Sequence, residues 1–227
     1  MRDSILTIPI DDIFEDKTGC PFCTMRNMLE ERCVKFILSD AMMEPDVRIE
    51  TNKMGFCKTH YDMMLGQKNR LSLALMISTH LAEIEKNLST RNSLFNSKKS
   101  KNAKISYVTN SCFICSKVEA QMQKLMVTFF EMYNKSENFR TLFKNQEKLC
   151  LCHYDTLMSV SSDRISKKLI KEFNNDCITL LKKELETLIE DTVHFTKMFD
   201  YRNTGKDADW GNSRDSIERA ITFLTTR

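Results

Sequence analysis

The residues best equipped for chemistry are eight sulfur and imidazole bearers that stand in pairs three apart: Cys20 and Cys23, Cys57 and His60, Cys112 and Cys115, Cys150 and His153. The later two pairs repeat the earlier two about ninety residues on, in the same order, CxxC before CxxH. Tyr and Asp follow the histidine both times. Ligands three apart can converge on one ion from a single turn or helix start. Three thiolates and one imidazole suit a tetrahedral zinc ion. The expectation is one such site per half: Cys20, Cys23, Cys57 and His60 in the first, Cys112, Cys115, Cys150 and His153 in the second. That makes two zinc ions per chain, each stapling distant stretches of sequence and contributing on the order of 10 kcal/mol to folding. The same ligands could instead carry an iron–sulfur cluster, and spacing does not separate the two. Four protein ligands leave no open position for a catalytic water.

Cys152 stands beside the last pair. The repeat assigns the ligand role to Cys150, because Thr59 occupies the matching position in the first half. Cys152 is therefore a candidate reactive thiol next to a metal. Cys33 and Cys177 lie in helical patterns and read as core residues; His80 and His194 read as ordinary helix residues.

The elements that must position these ligands are helical. Gly (5) and Pro (3) are too scarce for the tight turns of a mostly β fold. Apolar residues recur at three and four: Met25, Met28, Leu29, Cys33, Phe36 and Ile37; Leu71, Leu75, Leu81, Ile84 and Leu88; Val118, Met122, Leu125, Met126, Phe129 and Phe130; Leu169, Phe173, Ile178, Leu181, Leu185, Leu188 and Ile189. Pro45 and its charged neighbours break the first pattern. The sequence "SSDR" offers an N-cap to the last, and Asn212 or Ser213 can cap a closing helix. The expected fold is all-α: two tandem helical repeats, each stapled by a Cys3His site, plus a C-terminal loop and helix. The first repeat spans residues 1–88, opening on a polar lead. A solvated linker spans 89–110, the second repeat 111–199, and a Trp-containing loop with the closing helix 200–227.

Net charge is +3, too small to imply nucleic acid, so none is expected as a partner. No stretch is long and apolar enough for a membrane span or a signal peptide, which points to the cytoplasm. Nine cysteines in a reducing compartment read as ligands, redox groups or small core residues rather than disulfides. No phosphate-binding glycine loop, nucleophile elbow or HExxH motif is present, so the reading leans away from an enzyme.

The stretches "GCPFC", "MMEPDVRIETNKMGFC", "NRLSLALM", "CFIC" and the tail "WGNSRDSIERAI" resemble the bacterial family of unknown function DUF6062 over nearly the whole chain. The resemblance implies paired cysteine motifs and a Trp-Gly-Asn-Ser tail, and supplies no activity. It also marks a polar set: Arg48, Glu50, Asn52, Asn69, Arg70, Arg202, Asn203, Trp210 and Asn212. These either converge into a site or cap loops and bridge elements, and the second reading is favoured. Three functions follow. The favoured one is a zinc-stapled scaffold that meets a protein partner, in an oligomeric state the sequence leaves open. A redox or metal-responsive protein with iron–sulfur clusters or labile zinc thiolates is the alternative, and an enzyme built on the polar set is the third.

Overall fold

A computed structural model describes residues 7–89, 98–200, 202–203 and 209–225. They form eleven α-helices and two short 3₁₀ turns, with no strand among them. No described helix is long and apolar enough to cross a membrane. The chain divides into two compact units. One joins residues Met1–Met25 to Lys124–Arg227, and the other is the continuous stretch Arg26–Gln123. The division passes through helix α2 (Pro21–Leu38) and helix α7 (Phe113–Lys135).

The discontinuous unit is organised around aromatic rings. Its first helix, α1 (Thr7–Asp16), is the stretch read from sequence as a polar lead. Ile10 and Phe14, four apart among acidic residues, put one short apolar face into the core, and both are fully buried. Around Phe14 gather Phe22, Phe129, Phe139 and Phe143, and Phe143 stacks on Phe173 at 5.8 Å. Helix α8 (Glu137–Lys144) supplies Phe139 and Phe143, and Ser136 caps it by accepting from the Phe139 N–H. Tyr133 donates its hydroxyl to Asp176, 3.1 Å away and buried. Helix α9 (Leu151–Arg164) contains "SSDR" as its last turn, where Ser161 donates to the Met158 carbonyl. The sequence-predicted cap there is therefore not formed. Helix α10 (Ile170–Lys197) buries Phe173, Cys177, Leu180 and Leu188, while Ile178, Leu185 and Ile189 face outward. The closing helix α11 (Ser216–Thr225) begins after Ser213, whose hydroxyl donates instead to the Trp210 carbonyl.

In the continuous unit, helix α3 (Pro45–Met54) begins at the proline read as a breaker, because proline fits the first position of a helix. Helix α4 (Lys58–Gly66) is short, and helix α5 (Arg70–Ser89) is long. The leucine face expected to be core on α5 is outward: Leu71 is 71% exposed, and Leu75, Leu81 and Leu88 are exposed too. The buried face is Ser72, Leu73, Met76 and His80. It packs against α3, whose Arg48 and Asn52 reach Thr79 at 2.7 and 2.8 Å. Polar partners thus chose the face that hydrophobicity alone did not mark. Part of the expected linker is also helical: α6 (Lys98–Asn110) packs beside α3 and α5, and residues 90–97 of that linker lie outside the described residues.

Candidate metal centres

Every CxxC and CxxH pair sits at a helix start. Cys20, Cys57, Cys112 and Cys150 each immediately precede a helix, and their carbonyls accept the first intrahelical bonds, from Thr24, Tyr61, Ser116 and Tyr154, at 2.9–3.1 Å. The second ligand of each pair lies three residues on, within the first turn. That explains the spacing. The N-cap and third helical side chains of one helix point to the same end, where unpaired backbone N–H groups favour negative charge. Backbone N–H groups of Cys115 and His153 accordingly donate to the sulfurs of Cys112 and Cys150, both at 3.5 Å.

Two such helix starts meet at each centre, but not in the combination expected. One quartet is Cys20, Cys23, Cys150 and His153; the other is Cys57, His60, Cys112 and Cys115. Each takes its CxxC from one half of the sequence and its CxxH from the other, so the sites are nested along the chain. The within-half quartets are thereby corrected: spacing alone cannot decide which CxxH meets which CxxC, because exchanging the CxxH partners leaves every residue count unchanged. The ligands of the outer quartet lie in the discontinuous unit and those of the inner quartet in the continuous one.

Within each quartet one ligand atom per residue lies within 4.8 Å of the others. Cys23 and Cys150 sulfurs are 3.6 Å apart and those of Cys57 and Cys115 3.8 Å. A disulfide would bring them to about 2.05 Å, and all nine cysteines are free. Around one ion with metal–sulfur bonds of about 2.3 Å the edge of the tetrahedron is about 3.8 Å, which these sulfurs match. Both histidines offer Nδ1. His60 Nδ1 lies 3.2–3.4 Å from its three sulfurs, and His153 Nδ1 3.0–3.7 Å from its own. The residues present therefore fit a tetrahedral ion, and each group could hold one.

The charges fit a cation too. Burial opposes protonation of His60, yet the Cys112 sulfur and the Glu30 carboxylate outweigh it and raise its pKa to about 10. Burial likewise opposes a Cys112 thiolate, but the His60 ring and backbone N–H groups bring it down to about 6. Partial burial and the negative Cys112 hold Cys115 up at about 12. At the outer quartet, hydrogen bonds to Cys150 and Cys20, with burial, push the Cys23 thiol far up, and His153 is raised to about 9 by Cys150 and Cys20 against the effect of burial. A cation entering either quartet displaces the protons these groups retain.

The support around the two quartets differs. Glu30 Oε1 lies 3.7 Å from His60 Nε2, a buried nitrogen with no hydrogen-bond partner. It favours the tautomer that presents Nδ1 to the sulfurs. Gly55 takes φ +63°, and its carbonyl accepts from the Phe113 N–H at 3.0 Å, while Ser111 donates to the Met54 carbonyl at 2.8 Å. These bonds join the approaches to both inner pairs. Pro21 stands where Phe113 would in the outer quartet and has no N–H to give. There Gly19 (φ +67°) donates instead to the Glu147 carboxylate, and Gln146 donates to the Phe14 carbonyl at 2.8 Å. The Phe22 ring lies 5.7 Å from that of His153. Sequence reasoning missed Glu30, Gly55 and Gln146; no local motif marks the first or last, and only the glycine before Phe56-Cys57 hinted at the second. His80, read as an ordinary helix residue, is buried, with Nδ1 2.7 Å from the Asn52 carbonyl.

Cys152 turns away from the outer quartet, its sulfur 3.6 Å from the Leu224 carbonyl. Cys177 is fully buried, and Cys33 is half-buried beside Phe36 and Lys117 in a groove of about 350 Å³. The polar set is bound up in local contacts. Arg48 holds Thr79 and the Leu75 carbonyl, Glu50 pairs with Lys117 at 2.8 Å, Asn52 serves Thr79, and Asn69 donates to the Leu38 carbonyl; Arg70 opens α5. Arg202 pairs with Asp200, Asn203 donates to the Lys197 carbonyl, Trp210 packs on Phe195 and Phe199, and the Asn212 carbonyl accepts from Arg219. His194 bonds the Asp209 carbonyl at 2.9 Å, holding the same tail.

Compared with known proteins, the chain matches no curated protein and no solved structure. One family model matches residues 1–227, the entire sequence in which these helix starts and quartets occur. The chain belongs to the Family of unknown function (DUF6062).

Proposed function

We propose that this is a zinc-stapled helical scaffold of the cytoplasm, holding two zinc ions per chain and presenting its helical surfaces to a protein partner. The observation that carries the reading is the closure of both quartets. Each offers three sulfurs and one imidazole nitrogen within 4.8 Å, which fills a tetrahedron and leaves no position for a substrate or an activated water. The ion in such a site supplies cross-linking rather than turnover. An iron–sulfur cluster spreads its four protein ligands over two or more irons, too far apart for all four ligand atoms to lie within 4.8 Å of one another as they do here, which favours a single ion. The recurrence of long helix, short helix, CxxH helix and long helix at Pro21–Ser89 and at Phe113–Lys197 supports an origin by duplication. Outward apolar residues support a partner protein: Ile189 and Val193 on α10, and Ile217, Ile221 and Leu224 on α11.

The test is metal analysis of protein purified without oxygen, together with its absorption spectrum. Two equivalents of zinc and no visible band are expected. Replacement of zinc by cobalt should give the intense ligand-field bands of tetrahedral thiolate sites. Iron with a brown charge-transfer band, or protein that binds no metal while folded, overturns the reading.

A further inference from the structure

We propose that the inner quartet is a thiol-oxidation site for peroxides, with Cys115 the sulfur first oxidised and Cys57 its resolving partner, while the outer quartet is inert. This rests on the reading that both quartets hold zinc. The two quartets have the same ligands but different access. In the outer one Cys20, Cys150 and His153 are buried and Cys23 is half-buried, with the Phe22 ring set beside His153. In the inner one Cys115 is exposed, the only exposed ligand of the eight, and Cys57 is half-buried. A sulfur held as a zinc ligand is already a thiolate and needs no deprotonation to act as a nucleophile. Exposure then decides which thiolate an oxidant reaches.

The second requirement is a neighbour that can capture the oxidised sulfur. Cys57 Sγ lies 3.8 Å from Cys115 Sγ, with Cys57 at the N-cap of α4 and Cys115 in the first turn of α7. In the first step the Cys115 thiolate attacks a peroxide oxygen; the O–O bond breaks, a sulfenic acid forms and hydroxide leaves. In the second the Cys57 thiolate attacks that sulfur; the S–O bond breaks, the S–S bond forms and a second hydroxide leaves. Two thiolates have given two electrons, and the peroxide is reduced to two hydroxides. The quartet has then lost two ligands, and Cys112 and His60 alone cannot retain the ion. Cys33 and Cys152 are half-buried and belong to neither quartet.

The experiment uses the full chain with its zinc content measured first, exposed to substoichiometric hydrogen peroxide. Zinc release is followed with a colorimetric chelator, and disulfides are mapped by differential alkylation and mass spectrometry. About one of the two zinc equivalents should leave in a fast phase, on the order of tenfold ahead of the other, as expected where a thiolate's reactivity tracks its access. The first disulfide should be Cys57–Cys115. The Cys115→His variant keeps four ligands and removes the exposed sulfur; it should retain two zinc equivalents and lose the fast phase. Equal release from both quartets, a first disulfide elsewhere, or a fast phase that survives Cys115→His overturns the proposal. Fewer than two zinc equivalents before peroxide is added overturns instead the reading beneath it.

Discussion

At the scale of single residues, the inner centre depends on a glycine as much as on its ligands. Gly55 ends α3 and leads into Cys57 with φ +63° and ψ −159°, a combination that side chains strongly disfavour. A Cβ there would also stand 2.6 Å from His80 Nε2, and His80 is buried with its other nitrogen bonded to the Asn52 carbonyl. Both the backbone and the imidazole would have to move. Gly55→Ala should therefore cost about 2–4 kcal/mol of stability, from backbone strain and a displaced buried ring. It should also weaken metal retention at the inner quartet. Gly66 is the internal control: nothing lies within 4 Å of a Cβ there, and its φ is not positive. Gly66→Ala should be neutral or stabilising by up to about 1 kcal/mol. Chemical denaturation of the two variants side by side decides the matter, and equal midpoints would remove Gly55 from this role.

At the scale of elements, helices decide more than the residue spacing could. All eight candidate ligands were legible as pairs, because N-cap and third-position side chains share a helix end, and that rule is local. Which pairs meet was not legible from spacing, since exchanging the CxxH partners leaves every count unchanged. The answer lay in tertiary packing that no spacing records, and reading Pro45 as a breaker hid helix α3, which begins there. The same limit applies to α5, where the leucine stripe suggested one face and the Arg48–Thr79 and Asn52–Thr79 bonds selected another. The C-terminal element shows what polar ties do. Arg219 on α11 pairs with Asp191 of α10 at 2.8 Å and with Asp215, and donates to the Asn212 carbonyl. Arg219→Ala leaves Asp191 without this partner and should loosen the tail by about 1–2 kcal/mol. Trp210 is the only tryptophan, and it packs on Phe195 and Phe199 of the same region, so its fluorescence reports this element alone. In the variant its emission should shift red at denaturant concentrations below those that abolish helical circular dichroism. Coincident transitions in wild type and variant alike would show that the tail is not a separate tie.

At the scale of the whole molecule, the nested pairing makes a claim that simple stoichiometry can check. The inner ligands are joined across 52–58 residues of chain and the outer across 127–133. Closure entropy grows so slowly that this difference is worth only about 0.6–0.8 kcal/mol. What separates the sites is what they gather: the outer one ties Met1–Met25 to Lys124–Arg227, two segments with a whole compact unit between them in sequence. Pairs of ligand substitutions expose that topology. Cys57→Ala with Cys112→Ala damages a single quartet in the nested arrangement and should leave about one zinc equivalent at a structural site. Cys20→Ala with Cys57→Ala damages both, and should leave none. Sites formed within each half of the sequence would give the reverse, because Cys20 and Cys57 would then share one ion while Cys57 and Cys112 would belong to two. Zinc analysis of the two double variants, each checked for helix content, therefore distinguishes the topologies by opposite outcomes. Survival of one equivalent in the Cys20/Cys57 variant would sink the nested pairing. If the pairing holds, the outer site is the only metal tie between the two segments of the discontinuous unit among the described residues. Its loss should then expose the α1 segment to proteolysis before the continuous unit is touched.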